Sequence, residues 1–194
     1  MRRARDRIGL ASVVAYLVVV AFIQAVGWPD WEALAASPDQ VAHGRLWLLL
    51  SSGLVIDGLP WLQFTVLAIV LVLAYVRVGA ARLWAAGLVA HVGSALIAYA
   101  GIGVLNLLGA DIGDVASEAD YGVSVLLAGE LGVIAVSGGR RTALLVGVLG
   151  VAGFGIGLAD SSTLANVEHL IGFGLGAATI LALDRFHPRG PVDA

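Results

Sequence analysis

Asp120-Tyr121-Gly122-Val123-Ser124 and Glu168-His169-Leu170-Ile171-Gly172-Phe173-Gly174-Leu175-Gly176 are two polar marks in an apolar chain. Each opens a hydrophobic segment of about membrane length. Hydrocarbon tolerates polar groups poorly, so a serine and a histidine at such places ask for a reason. Both are followed by small residues at helical spacing. Gly172 and Gly176 stand three and seven residues after His169, and Ala128 and Gly132 four and eight after Ser124, so each set shares one helix face. Small faces let two membrane helices approach closely.

Working outward, the chain has 194 residues, 59% hydrophobic and 13% charged, with a mean hydropathy of +0.94. A soluble domain is nearer half apolar and a quarter charged. The pattern predicts an all-α, polytopic membrane helix bundle forming one domain over residues 1–194. The apolar runs are continuous, which excludes the alternation of a β-barrel. Cysteine is absent, so there is no disulfide framework, thiol nucleophile or Cys-based metal site. All 11 basic residues are arginine, and with 26 glycines and abundant alanine this composition suits a GC-rich bacterial gene.

Six spans are expected, at about 8–27, 60–76, 83–101, 122–137, 142–159 and 164–183, with a cytoplasmic tail at 184–194. The apolar stretch Leu46–Ile56 is too short to cross and is expected to be re-entrant or interfacial. The start Met1-Arg2-Arg3-Ala4-Arg5-Asp6-Arg7 also suits a cleaved leader, but its apolar run exceeds a leader's ~7–15 residues. With the N-terminus inside, six crossings put Arg2, Arg3, Arg5, Arg7, Arg77, Arg82, Arg140, Arg141, Arg185 and Arg189 in the cytoplasm and only Arg45 outside. Asp30, Glu32, Asp39, Asp57, Asp111, Asp114, Glu118, Asp120 and Asp160 fall outside. Both termini are therefore expected to be cytoplasmic, in the plasma membrane of a bacterium. Trp28, Trp31, Trp61 and Trp84 lie at span ends, where indoles favour the interface.

Ser124 and His169 lie near the same depth, close to the outer surface. A serine–imidazole hydrogen bond between them would let the imidazole take the serine proton and activate Oγ as a nucleophile. Backbone N–H groups at the start of the fourth span, around Gly122 and Val125, are candidates to hold an oxyanion, with Gln63 a candidate side chain. The bland alternative is that Ser124 bonds back to its own helix and the small residues serve packing only.

These residues together resemble the rhomboid family of intramembrane serine proteases. The resemblance covers nearly the whole chain: six helices, an inside N-terminus, Gly44-Arg45-Leu46-Trp47 before span two, Gly-x-Ser opening span four and His-x-x-Gly-x-x-x-Gly in span six. It implies a rhomboid-like fold, Ser124 as nucleophile, His169 as base, no cofactor, and transmembrane protein substrates cleaved near their outer ends. The chain departs from the family where Val125 follows the serine, where Ala128 replaces an aromatic residue, and where span two offers Trp61, Gln63 and Thr65 in place of a histidine and an asparagine. Gln63 or Ser51-Ser52 would have to substitute there. The alternative reading is a catalytically inactive rhomboid-like protein that binds transmembrane helices.

Two further polar residues, His91 and Glu130, lie near the middle of spans three and four and are expected to pair across them. The pair is expected to be structural, with a proton relay or ion path as the sharper reading. Glu168 points about 100° away from His169 and is expected at a solvated helix start. No His-Glu-x-x-His is present and the acids and histidines differ in depth, so no metal is expected. Gly153-Phe154-Gly155-Ile156-Gly157 sits inside a span and is no nucleotide loop, and no nucleic-acid partner is implied.

Overall fold

The computed structural model describes residues 2–27, 30–57, 59–148, 150 and 163–186. In chain order the helices are α1 (Arg2–Val26), α2 (Trp31–Leu34), α3 (Pro38–Ala42), α4 (Leu48–Ser51), α5 (Pro60–Val78), α6 (Ala80–Leu107), α7 (Val123–Ser137), α8 (140–148) and α9 (Thr163–Phe186). Single 3₁₀ turns cover Ser52–Leu54 and Gly113–Ser117. Among the described residues there is no strand. An isolated β bridge joins Ala36 and Asp120, with amide bonds of 3.1 and 2.7 Å. It ties the connection after α1 to the connection before α7.

Arg7–Val26, Pro60–Val78, Ala80–Leu107 and Leu164–Phe186 are long and apolar enough to cross a membrane. These match the first, second, third and sixth expected spans. α7 has 15 residues, about 22 Å at ~1.5 Å per residue, short of a ~30 Å core. Its burial explains how so short a helix belongs to the bundle. α5, α6 and α9 all pack on it, and its buried residues run from Val123 to Ala135 around every face. A helix apolar all round is a core helix. Most of the expected fifth span, 142–159, lies outside the described residues beyond α8.

α1 and α5 carry the opposite signature. Val14, Val18 and Phe22 on α1, and Ile69, Leu73 and Val76 on α5, are exposed. So much outward apolar surface suits lipid as solvent. α5 begins with Pro60 at its first turn, where a missing N–H costs nothing. It passes into α6 through Gly79 alone, at φ +77°, a conformation that a side chain would strain. The Leu46–Ile56 stretch is a short helix and a 3₁₀ turn, with Leu48, Leu49, Val55 and Ile56 buried and Leu46, Trp47 and Leu50 turned outward.

Trp84 departs from the belt role expected of it. Its indole N–H donates to Ser12 Oγ at 2.8 Å, and its ring meets Tyr16 edge-on at 5.4 Å, so it fastens α6 to α1. An ion pair between Arg82 and Asp184 joins α6 and α9 at the same end of the bundle.

Candidate active site

α7 and α9 cross at an unusually close approach, and glycines make it possible. A Cβ on Gly176 would overlap the Gly129 carbonyl oxygen, and one on Gly132 would overlap the Phe173 carbonyl oxygen. A Cβ on Gly172 would stand 3.0 Å from Val125 Cγ1. The stripe of α7 that meets α9 is therefore Val125, Gly129 and Gly132, at i, i+4 and i+7, the better helical face. The expected stripe through Ser124, Ala128 and Gly132 is rotated slightly from it. Ala128 is fully buried, while Gly129 was the missing member. Val125, a departure from the family pattern, fills the space over Gly172.

This crossing brings the two marks together. Ser124 Oγ lies 2.8 Å from His169 Nε2 and 3.3 Å from the Tyr121 carbonyl oxygen. The hydroxyl has one proton and two acceptors, and the imidazole is the nearer. Both side chains are partly buried.

The expected oxyanion groups are divided. The Gly122 N–H donates to the Ser52 carbonyl at 3.0 Å and so is already used. Gln63 Nε2 donates to the Asp57 carbonyl at 2.5 Å on the exposed side of α5. The Gly122 amide is thus no free donor toward Ser124, which corrects that expectation, while Gln63 keeps one amide N–H beyond its bond to Asp57. The first helical bond of α7 runs from Leu126 N–H to Gly122 O. By helix geometry the amides of Val123, Ser124 and Val125 precede that ladder, and these are the backbone donors beside the serine. Ser51 Oγ is held by the Leu34 carbonyl at 3.0 Å.

His91 and Glu130 do not pair, contrary to expectation. His91 Nε2 lies 3.5 Å from Ser52 Oγ, and its ring is wedged between Gly53 and Gly122. Glu130 is fully buried, with neither carboxyl oxygen hydrogen-bonded. Its Oε1 packs against Gly87, one helical turn from His91 on α6. The two side chains leave α6 and α7 at different levels, so similar depth in sequence did not become contact. His91 instead supports the segment that carries the serine. A glycine pair placed far apart in sequence, Gly53 and Gly122, was the only signal of that role.

Glu168 also departs from expectation. It is fully buried, not solvated, and faces Asp120, which accepts a 3.1 Å hydrogen bond from Tyr99. Among the described residues no cluster of His, Asp and Glu has the arrangement of a metal site.

A Ser–His contact between two helices of a multi-pass apolar bundle defines a class, that of helical membrane proteins with a serine and a histidine paired across helices. The family model for rhomboid-like proteins matches residues 37–185, and the chain belongs to that family. No curated protein and no solved structure matches it.

Proposed function

We propose that this chain is an intramembrane serine protease of rhomboid type that cleaves transmembrane segments through a Ser124–His169 dyad. The observation that carries the reading is the 2.8 Å contact between Ser124 Oγ and His169 Nε2. His169 accepts the hydroxyl proton as Oγ attacks the scissile carbonyl, and an acyl-enzyme forms. The same imidazole returns the proton to the leaving amine, then activates water for deacylation. The first-turn amides of α7 receive the developing oxyanion. The arginine distribution supports cytoplasmic termini in a bacterial plasma membrane and a dyad near the outer surface. Substrate helices reach it from the bilayer, and no cofactor takes part.

The engaged Gly122 amide favours a second reading, a catalytically inactive rhomboid-like protein that holds transmembrane helices. The removal of one oxyanion donor costs about 10²–10³ in rate. Labelling with a fluorophosphonate in native-like membranes separates the two. Labelling of wild type that is lost in both Ser124→Ala and His169→Ala supports proteolysis. A folded wild type that takes no label, under conditions where the probe reaches a control membrane serine hydrolase, supports the helix-binding reading.

A further inference from the structure

Asp120 and Glu168 belong to the two segments that carry the proposed dyad. Asp120 precedes Ser124 by four residues, and Glu168 is the neighbour of His169 on α9. Both are buried, at 5% and 0% exposure. The Asp120 backbone is pinned by the bridge to Ala36, and its Oδ2 accepts from the Tyr99 hydroxyl at 3.1 Å. Glu168 has no hydrogen-bond partner outside this pair, and its carboxyl faces that of Asp120. Among the described residues, the titratable groups that face the pair are Tyr99 from α6 and Glu118 from the connection before Asp120, and neither supplies a cation.

Two carboxyls in contact, buried and without a cation, cannot both be ionised. They are stable when they share a proton, one donating to the other, and the proton then belongs to the pair. We propose that Asp120 and Glu168 form a proton-sharing clamp that positions the serine segment against the histidine helix, so that catalysis requires the pair to keep its proton. This rests on the dyad reading above. Glu168 acts as a positioning residue through His169, and Asp120 through the Tyr121–Ser124 segment.

The sign of the effect follows. Burial raises the Asp120 carboxyl above the usual carboxylate range, while the hydrogen bonds from Glu168 and Tyr99 work against that rise. A group that binds its proton more tightly when folded contributes less stability as pH rises. Loss of the shared proton puts two like charges in contact and pushes α9 away from the serine segment.

The test uses the full chain in lipid nanodiscs, with fluorophosphonate labelling rate and thermal unfolding midpoint both followed from neutral to alkaline pH. Wild type is compared with Glu168→Gln, whose amide donates to Asp120 without a titrating proton, and with Asp120→Asn. The wild-type rate is expected to fall by about tenfold per pH unit once the pair ionises. Glu168→Gln is expected to lose this alkaline limb and label at a near-constant rate. An alkaline limb equal to the wild type's in Glu168→Gln would overturn the clamp. If Glu168→Gln does not fold, Asp120→Asn carries the same expectation and the same refutation. If wild type takes no label at any pH, the dyad reading fails separately. The clamp is then judged by the unfolding midpoint, which should fall with pH in wild type and not in either amide variant. Equal slopes in all three would refute it.

Discussion

Ser124 reaches two acceptors, His169 Nε2 at 2.8 Å and the Tyr121 carbonyl at 3.3 Å, and the shorter contact is the one the proposed chemistry uses. Ser124→Ala and His169→Ala should each lower fluorophosphonate labelling by on the order of 10³-fold or more, because a nucleophile and its base act as a unit. The unfolding midpoint of Ser124→Ala should hardly move. Gly122 supplies a second prediction at this scale. An added Cβ there would overlap the His91 ring, which Gly53 backs from the other side. Gly122→Ala should therefore destabilise the protein by about 1–3 kcal/mol, the usual cost of overpacking. Gly122→Ala/His91→Ala should recover part of that loss in a double-mutant cycle of unfolding free energies. Strict additivity would show that His91 does not bear on the serine segment.

At the level of helices, the Ser124–His169 contact depends on how near α9 lies to α7. Gly176 faces a backbone carbonyl, which cannot turn aside as a side chain can. Gly176→Ala should force the helices apart, and a displacement of ~1 Å between reacting groups costs up to about 10²-fold in rate. Gly174 lies on the same helix two residues earlier, is exposed, and has nothing within 4 Å of its Cβ position. Gly174→Ala should leave the labelling rate within about twofold of wild type, or raise stability slightly through the better helix propensity of alanine. Equal effects at both positions would mean that the close crossing does not set the dyad. The same geometry explains why Val125 follows the serine: its side chain occupies the space that Gly172 leaves.

For the molecule as a whole, the bundle is organised around α7, and the membrane supplies the solvent for α1 and α5. Glu130 sits within this core with no hydrogen bond to either oxygen. An acidic side chain near the bilayer centre costs ~2.5–3.5 kcal/mol on insertion scales. Replacement by Met, of similar length, should raise the unfolding midpoint and leave Ser124 labelling within about threefold of wild type, as measured on the same samples. Loss of labelling in Glu130→Met would instead indicate a relay through the core. The orientation is testable because the chain has no cysteine. Arg140→Cys should react with a membrane-impermeant maleimide only after the cell is opened, and Asp114→Cys in the intact cell. The reverse pattern would put the dyad at the cytoplasmic surface.

Composition and the spacing of glycines were enough to read a helical membrane bundle, its principal long helices, and Ser124 and His169 as the groups worth bringing together. Those are local properties: hydrophobic length and one face of one helix at a time. The partners of His91, Glu130 and Glu168 were not legible, because depth along a helix does not say which way a side chain leaves it. Whether Gly129 or Ala128 meets α9 depends on a rotation of α7 that three neighbouring helices impose together. The tertiary structure alone decided that His91 supports Gly122, that Glu130 stands without a hydrogen bond, and that Glu168 faces Asp120. Each of those contacts joins segments far apart in the chain, and only the packing of whole helices determines them.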